Sequence, residues 1–286
     1  MIWRHPENRG IRGRRLLGWI SWQVWQRTVA RPRVIEMHDG VRMVCHPHDD
    51  VTSLAMYCGL YDSPEMRFLL AWLRPGDTFL DVGANVAPYS LLTTLVGGVR
   101  AVAFEPGTSA RERAEANIRL NDAEESVEVV PSAVSAVDGT GRLSADRWAT
   151  NSLVGDGYEG ESEQIAVISL DSFARTCDLD RVRLVKIDVE GHEPDVLRGA
   201  GELIARHRPA LIVECNEVDA LRRFSAENAY TLVEYRPDAG TIEVVDWPHG
   251  PGGNVVLVAD LEQARARLAR PGREAAATDH GREVPT

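Results

Sequence analysis

This 286-residue chain lacks the sequence features of several large classes of protein. No apolar run approaches the ~20 residues that a membrane-spanning helix needs, so no transmembrane segment is expected. Basic residues number 32 against 43 acidic ones, and the net charge of −11 argues against a nucleic-acid partner, which requires a basic surface. The four cysteines show no Cys-x-x-Cys spacing. Such scattered cysteines favour reduced thiols and a cytoplasmic location over a disulfide framework or a zinc site.

Two glycine-rich nucleotide-binding motifs are absent or incomplete. The sequence contains no Gly-x-x-x-x-Gly-Lys-[Ser/Thr] segment, which excludes a P-loop. An apolar run ends at Asp81 and is followed by a turn that starts with Gly83. However, Asn85 and Ala87 stand where dinucleotide-binding turns carry further glycines. Less room at this turn argues against a pyrophosphate and favours a smaller, adenosine-type ligand.

From residue 78 onward, short apolar runs alternate with helix-like segments. This alternation predicts an α/β fold over residues 51–261, with a mostly parallel sheet covered by helices on both faces. The carboxyl ends of parallel strands share one edge, where open α/β sheets bind their ligands. Five predicted strands end in polar residues that should converge there: Asp81, Glu105, Ser132, Asp188 and Glu214.

Residues 1–50 are predicted to form a separate cap. Trp19, Trp22 and Trp25 recur at a spacing that places them on one face of a helix. Two alternating runs then flank an Asp-Gly pair at 39–40, which predicts a β-hairpin. The Trp-rich helix is expected either to cover the domain or to form a homodimer, with contact to a membrane surface as the alternative.

Two further segments are predicted to have little regular structure. Residues 138–164 are rich in Gly, Asp, Ser and Glu, and they are expected to form a surface excursion with an antiparallel edge and a mobile flap. The aromatic residues Trp148 and Tyr158 of this segment would suit a sugar or a polyketide ring. Residues 262–286 are predicted to be a disordered tail, because they contain no aromatic side chain and are rich in Ala, Arg, Glu and Gly.

Five segments, in this order and spacing, resemble the FkbM family of S-adenosylmethionine-dependent methyltransferases. They are residues 79–90, 103–106, 117–121, 185–193 and 209–214. The most specific of them contains Lys-x-Asp-x-Glu-Gly-x-Glu, from Lys186 to Glu193. The resemblance implies the class I methyltransferase fold, a Rossmann-like and mostly parallel sheet of seven strands with helices on both faces and the last strand antiparallel.

The resemblance also implies where S-adenosylmethionine would bind. Asp81, Gly83 and Asn85 would line the methionine end of the cofactor, and Glu105 would hold the ribose hydroxyls. An acid at the end of the second strand has this role in other nucleotide-binding sheets. Ala87 stands where the family usually has glycine. The other residues expected to contact the cofactor are Tyr89, Pro106, Ser132, Ala133 and Asp188.

Transfer of a methyl group to a hydroxyl oxygen requires a proton acceptor or a metal ion. Candidate catalytic residues follow the fourth and fifth strands: Asp188, Glu190, His192 and Glu214. Imidazole is the natural general base near neutral pH, although a histidine at this position can equally serve to bond a neighbour. Asp188, Glu214 and Asn216 also offer the hard oxygen ligands that Mg²⁺ prefers, and such an ion could acidify an acceptor hydroxyl.

The leading interpretation is an O-methyltransferase that acts on a hydroxyl of a sugar or of a secondary metabolite. Its cofactor would be S-adenosylmethionine, with Mg²⁺ as an open possibility. Methylation of a small-molecule amine is an alternative that needs less help from a base. A non-catalytic protein that binds S-adenosylmethionine and a nucleotide-dependent oxidoreductase are further alternatives.

Overall fold

A computed structural model describes most of the chain. The described residues are 5–8, 12–47, 49–144, 152–155 and 157–269. Trp148 and the segment 270–286, both singled out by the sequence, lie outside these ranges.

The chain before the main sheet contains three α-helices and a two-stranded hairpin. From here on we call this part the cap, and it includes the predicted cap of residues 1–50 and continues to residue 72. In chain order these are α1 (Arg12–Thr28), β1 (Arg33–His38), β2 (Val41–Cys45), α2 (Asp50–Cys58) and α3 (Ser63–Trp72). The hairpin reverses at the predicted Asp-Gly pair, and both residues of that pair have positive φ, as this kind of turn requires. Within the described ranges, no helix combines the length and the apolar character that crossing a membrane requires.

The first half of the main sheet follows the predicted alternation of strand and helix. Its elements are β3 (Thr78–Val82), α4 (Pro88–Leu92), β4 (Arg100–Phe104), α5 (Thr108–Leu120) and β5 (Val127–Val130). Most residues of these strands are apolar, and all of β3 and most of β4 are buried, which is typical of a parallel sheet that is covered on both faces.

A second sheet then forms from a region that was expected to be irregular. Its strands are β6 (Ser132–Val134), β7 (Gly139–Ser144), β8 (Leu153–Val154) and β9 (Ser162–Ile168), in the spatial order β6-β9-β7-β8. The prediction of little regular structure in residues 138–164 is therefore wrong for β7, β8 and β9, although the antiparallel pairing was expected. The physical reason is a small apolar core of its own, which contains Ala133, Leu143 and Ile165.

The chain next returns to the main sheet. The elements are α6 (Leu170–Thr176), β10 (Val182–Ile187), α7 (Glu193–Arg198), α8 (Gly201–His207), β11 (Ala210–Glu214) and α9 (Val218–Glu227). Two short helices, α7 and α8, connect β10 to β11. The break follows Gly199, where a Cβ atom would lie 2.2 Å from the carbonyl oxygen of Ser135.

The last elements are β12 (Thr231–Arg236), β13 (Thr241–Val244), β14 (Asn254–Val258) and α10 (Leu261–Ala269). Strand β13 is an additional edge strand, so the prediction of seven strands is wrong and the sheet has eight. It forms because a tight turn folds it back antiparallel onto β12.

Helix α10 corrects the predicted start of the disordered tail at residue 262. It is anchored by Arg267, which donates a 2.7 Å hydrogen bond to the carbonyl oxygen of Trp72 and forms an ion pair with the buried Asp77. These contacts provide the attachment to the domain that the composition of the segment does not reveal.

The main sheet has the strand order β13-β12-β14-β11-β10-β3-β4-β5. Strands β11, β10, β3, β4 and β5 run parallel, and β14 is antiparallel to both of its neighbours, so the sheet is mixed. Alternate residues of a strand face opposite sides, and accordingly Phe79 packs in the apolar cluster beneath the cap while Leu80 packs in the cluster beneath α6 to α8. The carboxyl ends of the five parallel strands form the edge where the candidate site lies.

Candidate active site

A cavity of about 660 Å³ lies at the carboxyl edge of the parallel strands. Its floor is made by the residues that follow β3, β4, β10 and β11. The cap contributes Asp49 and Tyr61 to one wall, and the second sheet contributes Leu143 and Leu153 to another. The volume is within the range of roughly 300–1,000 Å³ that is typical of small-molecule sites.

The turn after β3 is held by backbone hydrogen bonds. The N–H groups of Gly83 and Ala84 both donate to the carbonyl oxygen of Phe104, at 3.0 Å each. Gly83 has a φ of +78°, and a Cβ atom there would lie 1.8 Å from the carbonyl oxygen of Asp188. The sequence resemblance implied that Gly83 lines the methionine end of the cofactor. The structure adds that it is required for the close approach of the chain after β3 to the chain after β10.

Glu105, at the end of β4, is fixed by two backbone donors. Its Oε2 accepts from the N–H of Asn85 and its Oε1 accepts from the N–H of Gly107, at 2.8 Å each. Burial raises the pKa of Glu105 to about 7, and these two hydrogen bonds oppose the increase. The carboxyl group lines the cavity, and each of its oxygens keeps a lone pair for a further donor.

Asp81 lies beneath the cavity rather than in its wall. The side chain is buried, and its Oδ2 accepts hydrogen bonds from the backbone N–H and the hydroxyl of Ser90, at 3.2 and 2.7 Å. Its Oδ1 is buried and has no hydrogen-bond partner among the described residues. Burial raises the pKa of Asp81, and the nearby ammonium of Lys186 opposes that effect. Asp81 therefore holds the start of α4 in place and leaves one acceptor oxygen unused.

Lys186 is a buried cation that connects several groups of the site. Its Nζ donates to Oδ2 of Asp188 at 2.9 Å and lies 4.9 Å from the centre of the Tyr89 ring. The hydroxyl of Tyr89 in turn donates to Asp62 at 3.1 Å. Burial alone would lower the pKa of Lys186, but the charges of Asp188, Asp81 and Asp62 outweigh burial and raise it. The acid that pairs with Lys186 is thus Asp188, two residues further along the chain.

Three carboxyl groups converge opposite the turn after β3. Ligand atoms of Asp188, Glu190 and Glu214 all lie within 4.8 Å of one another. Burial works to raise the pKa of Asp188, but the charge of Lys186 outweighs it and the pKa lies below its ordinary value. Burial, followed by repulsion from Asp188 and Glu190, raises the pKa of Glu214 to about 8. Near neutral pH Asp188 is therefore ionised and Glu214 holds a proton, while burial and the charge of Asp188 also raise the pKa of Glu190.

Glu193 organises the loop that carries this cluster. It is buried, and its Oε1 accepts from the N–H groups of Val189 and Gly191 at 3.3 and 3.0 Å. The amide nitrogen of Asn216 also donates to Glu193, at 3.3 Å, and to Glu214, at 2.7 Å. Asn216 thus lies beside the carboxyl cluster and presents its amide nitrogen to two acids.

His192 lines the cavity at the residue preceding α7. Its Nδ1 is buried and has no hydrogen-bond partner among the described residues. The side chain is thus at the predicted site, but none of the described contacts orients its ring in the way a general base is usually oriented.

The remaining predicted cofactor residues also line the cavity. Pro106, Ser132 and Ala133 lie on the side of β4 and β5, near the apolar Leu143 and Leu153 of the second sheet. An apolar wall beside buried strand ends suits the flat face of a purine.

Sequence reasoning missed several residues of the cavity wall. Asp62, in the cap, faces Tyr89 and Lys186, and Arg113 pairs with Asp49 at 2.9 Å. Arg113 lies on α5 and Asp49 precedes α2, so only the packing of the cap onto the domain brings these two together. No spacing in the sequence could have indicated this contact.

Comparison with known proteins identifies related sequences. A family model described as the methyltransferase FkbM domain matches residues 81–233. Hexuronic acid methyltransferase AglP from Haloferax volcanii is 29% identical over 136 residues, which are 47% of this chain and 54% of AglP. The chain thus spans about half the length of this curated relative.

Solved structures with a related arrangement have low sequence identity. A methyltransferase FkbM from Methylobacillus flagellatus KT matches with a TM-score of 0.45 and 15% identity, covering 86% of this chain and 60% of that one. The tRNA (uracil-54, C5)-methyltransferase of Pyrococcus abyssi, in complex with S-adenosyl-L-homocysteine, matches with a TM-score of 0.43 and 14% identity, covering 79% and 43% of the two chains.

Proposed function

This chain belongs to the methyltransferase FkbM family, and on that premise we propose that it transfers a methyl group from S-adenosylmethionine to a hydroxyl group of a saccharide. The cofactor supplies an electrophilic methyl group, and the protein supplies orientation and electrostatics. The residues of the cavity therefore have two tasks, which are to hold the cofactor and to accept a proton from the acceptor hydroxyl.

Glu105 supports the assignment of the cofactor. Its two fixed oxygens each retain a lone pair toward the cavity, which suits the paired hydroxyls of a ribose. The charge of the cavity wall agrees with a cationic ligand, since seven carboxyl side chains line it against two basic ones, Arg113 and Lys186. The Oδ1 atom of Asp81 remains an unused acceptor beneath the methionine end. These residues fit S-adenosylmethionine.

The observation that carries the proposal is the carboxyl pair of Asp188 and Glu214. A hydroxyl group attacks a methyl group only when its proton can be accepted, and an amine does not need this help to the same extent. Glu214, with a pKa of about 8, is a much stronger base once ionised than an ordinary carboxylate. We assign proton acceptance to Glu214, while Asp188 stays ionised beside Lys186. His192 is the second candidate for this role.

The alternative role of the same carboxyl groups is to bind a metal ion. Asp188, Glu190 and Glu214 offer oxygen ligands of the kind that Mg²⁺ takes, and a bound ion would lower the pKa of Glu214 and of an acceptor hydroxyl. Activity after exhaustive dialysis against a chelator distinguishes the two uses. Full activity without metal supports Glu214 as the base, and activity restored only by Mg²⁺ supports the metal.

The saccharide acceptor is supported by the name of AglP, a hexuronic acid methyltransferase. The cavity of this chain argues for a neutral sugar instead of a uronic acid. Arg113 is the cation nearest the cap wall, and it is already paired with Asp49. The other basic side chain of the wall, Lys186, is buried against Asp188. A uronate carboxylate would therefore meet mostly negative charge.

The proposal is tested with purified full-length chain, S-adenosylmethionine and a panel of neutral methyl glycosides, uronic acid glycosides and small amines. Mass spectrometry of the products identifies the methylated atom. We expect transfer to a hydroxyl of a neutral glycoside. Absence of cofactor binding in calorimetry would overturn the whole proposal. Transfer to amines alone, or binding without any transfer, would overturn the assignment of O-methylation.

A further inference from the structure

Helix α1 has one face packed on the protein and one face exposed. On the packed face, Trp22 is fully buried and its Nε1 donates to Oγ of Ser53 at 3.3 Å. Gln23 donates to the hydroxyl of Tyr57 at 3.4 Å, so α2 is the element against which α1 rests. The predicted Trp face is thus turned inward at Trp22.

The opposite face of α1 carries large apolar side chains that no described part of the chain covers. Leu17 is 69% exposed, Val24 55% and Ile20 45%. These three residues follow the spacing i, i+3 and i+7, which places them along one stripe of the helix. Leu16 and Trp19 lie on one side of these three residues, toward the packed face, and are 41% and 37% exposed. We call these five residues the apolar stripe.

The charge around the apolar stripe is opposite to that of the rest of the chain. Residues 8–35 contain seven arginines and no acidic residue, in a chain whose net charge is −11. This concentration of positive charge in one segment has no role in the candidate methyl-transfer site.

We propose that α1 binds the surface of an anionic lipid bilayer through the apolar stripe. An amphipathic helix with arginine, tryptophan and leucine lies in the interface of a membrane, with its apolar side chains among the lipid chains and its basic ones near anionic headgroups. A second copy of this chain is the less suitable occupant, because it would bring a second set of seven arginines against the first. The inference does not depend on the proposed substrate.

The bound helix would lie close to the candidate active site. Helix α1 rests on α2, and Asp49 at the N-cap of α2 lines the cavity. Contact with a membrane would therefore place the cap wall of the cavity one helix away from the lipid surface.

The test is co-sedimentation of the full chain with vesicles of phosphatidylcholine, with and without phosphatidylserine. We expect at least about tenfold more bound protein on the anionic vesicles, and a loss of binding at high salt. The triple variant Leu17→Ser, Ile20→Ser, Val24→Ser should lose this binding. The matched control is Val137→Ser, Val244→Ser, because these side chains are 73% and 55% exposed but lie far from α1 in the sequence.

Circular dichroism of both variants establishes that the fold is retained, as expected for exposed positions. Equal sedimentation of the wild-type chain with both kinds of vesicle would overturn the proposal. A dimer in analytical ultracentrifugation that the triple variant abolishes, without vesicle binding by the wild type, would assign the apolar stripe to a second copy instead.

Discussion

The turn after β3 and the carboxyl cluster after β10 and β11 form opposite sides of one cavity, but different forces hold them. Backbone groups hold the turn, since the N–H groups of Gly83, Ala84 and Asn85 all have partners on β4 or at its end. Charges hold the cluster, since Lys186 faces Asp188 while burial and neighbouring acids keep a proton on Glu214.

This difference determines how each side responds to change. The turn has no room for an extra atom at Gly83, and the hydrogen bonds from Gly83 and Ala84 to the backbone carbonyl of Phe104 do not depend on pH. The arrangement of the carboxyl cluster depends on the protonation state of each of its acids, and it is less sensitive to a small change in side-chain shape. A steric substitution should therefore have its largest effect on the turn, and a change of pH should have its largest effect on the acids.

The largest expected effect is that of Gly83→Ala on stability. The new Cβ atom would lie 1.8 Å from the carbonyl oxygen of Asp188, and the backbone has a positive φ as well. We expect a loss of at least about 3 kcal/mol in the free energy of unfolding, measured by urea denaturation, or a failure to fold. Gly76→Ala is the matched control, because Gly76 has a φ of +82° but no atom within 4 Å of the new Cβ. It should lose only about 1 kcal/mol, and equal losses in the two variants would contradict the steric role of Gly83.

The second effect concerns the acid cluster and should appear in activity rather than in stability. If Glu214 accepts the proton, kcat should rise with pH through about 8, because burial and the neighbouring acids keep it protonated below that value. Glu214→Gln should lower kcat by roughly 10²–10⁴-fold and abolish this rise.

The matched control for Glu214→Gln is Glu217→Gln, an exposed acid three residues further on, which should leave kcat unchanged. A pH profile that survives in Glu214→Gln but disappears in His192→Ala would transfer the role to His192.

The third expected effect is a pH dependence of cofactor affinity that arises from Glu105. This residue combines both kinds of interaction, because it is an acid that backbone N–H groups hold in place. Its pKa of about 7 means that it is partly protonated at neutral pH in the free protein. Ribose hydroxyls would donate to the ionised form, so cofactor binding should favour ionisation. We expect the affinity for S-adenosylmethionine to be roughly tenfold weaker at pH 6 than at pH 8 in calorimetry.

The sign of the pH effect is reversed for the stability of the free protein. A raised carboxyl pKa stabilises the fold fully below the ordinary value of 4.5, and this contribution is lost as the pH rises through about 7. Measuring cofactor affinity in the Glu214→Gln background removes the cavity carboxyl whose pKa of about 8 lies closest to that of Glu105. In Glu105→Gln the affinity should be weak and independent of pH, and a persistent pH dependence would contradict the assignment.

The sequence predicted the turn after β3 better than it predicted the carboxyl cluster after β10 and β11. The apolar run ending at Asp81, the turn glycine and the acid at Glu105 are local patterns, and all lie at the predicted edge. The protonation of Glu214 depends on Asp188 and Glu190. Both follow a different strand and are more than 20 residues away in the sequence. Asn216 lies two residues from Glu214, and its amide nitrogen donates both to Glu214 and to Glu193, which lies on another element.

The same reasoning explains the errors in the fold. Strand β13 and the second sheet are stabilised by pairing with neighbours, and helix α10 is held by Arg267 against Asp77 and Trp72. The composition of a segment indicates its propensity to form a helix or a strand. It does not show which part of the protein the segment pairs with or packs against. Trp22 and Leu17 show the same limit within one helix, since both are apolar but only the neighbouring α2 decides which is buried.

The smallest expected effect tests whether the turn is strained where the family usually has glycine. Ala87 has φ and ψ of 64° and 37°, the left-handed conformation, which costs an alanine about 1 kcal/mol. Its methyl group is fully buried, which is worth about 0.8 kcal/mol, and glycine adds roughly 0.4–1 kcal/mol of entropy to the unfolded chain. Ala87→Gly should therefore lower the free energy of unfolding by less than about 1 kcal/mol, because relief of the strain offsets most of the combined loss from burial and entropy.

The neighbouring Ala84 isolates the strain at Ala87. It is equally buried, but it is not among the residues with positive φ, so Ala84→Gly relieves no strain. This control should lose roughly 1–2 kcal/mol in urea denaturation. The difference between the two variants measures the cost of the left-handed alanine. If both variants lose the same amount, the turn is not strained at Ala87, and the preference of the family for glycine at that position must come from contact with the ligand instead of from the backbone.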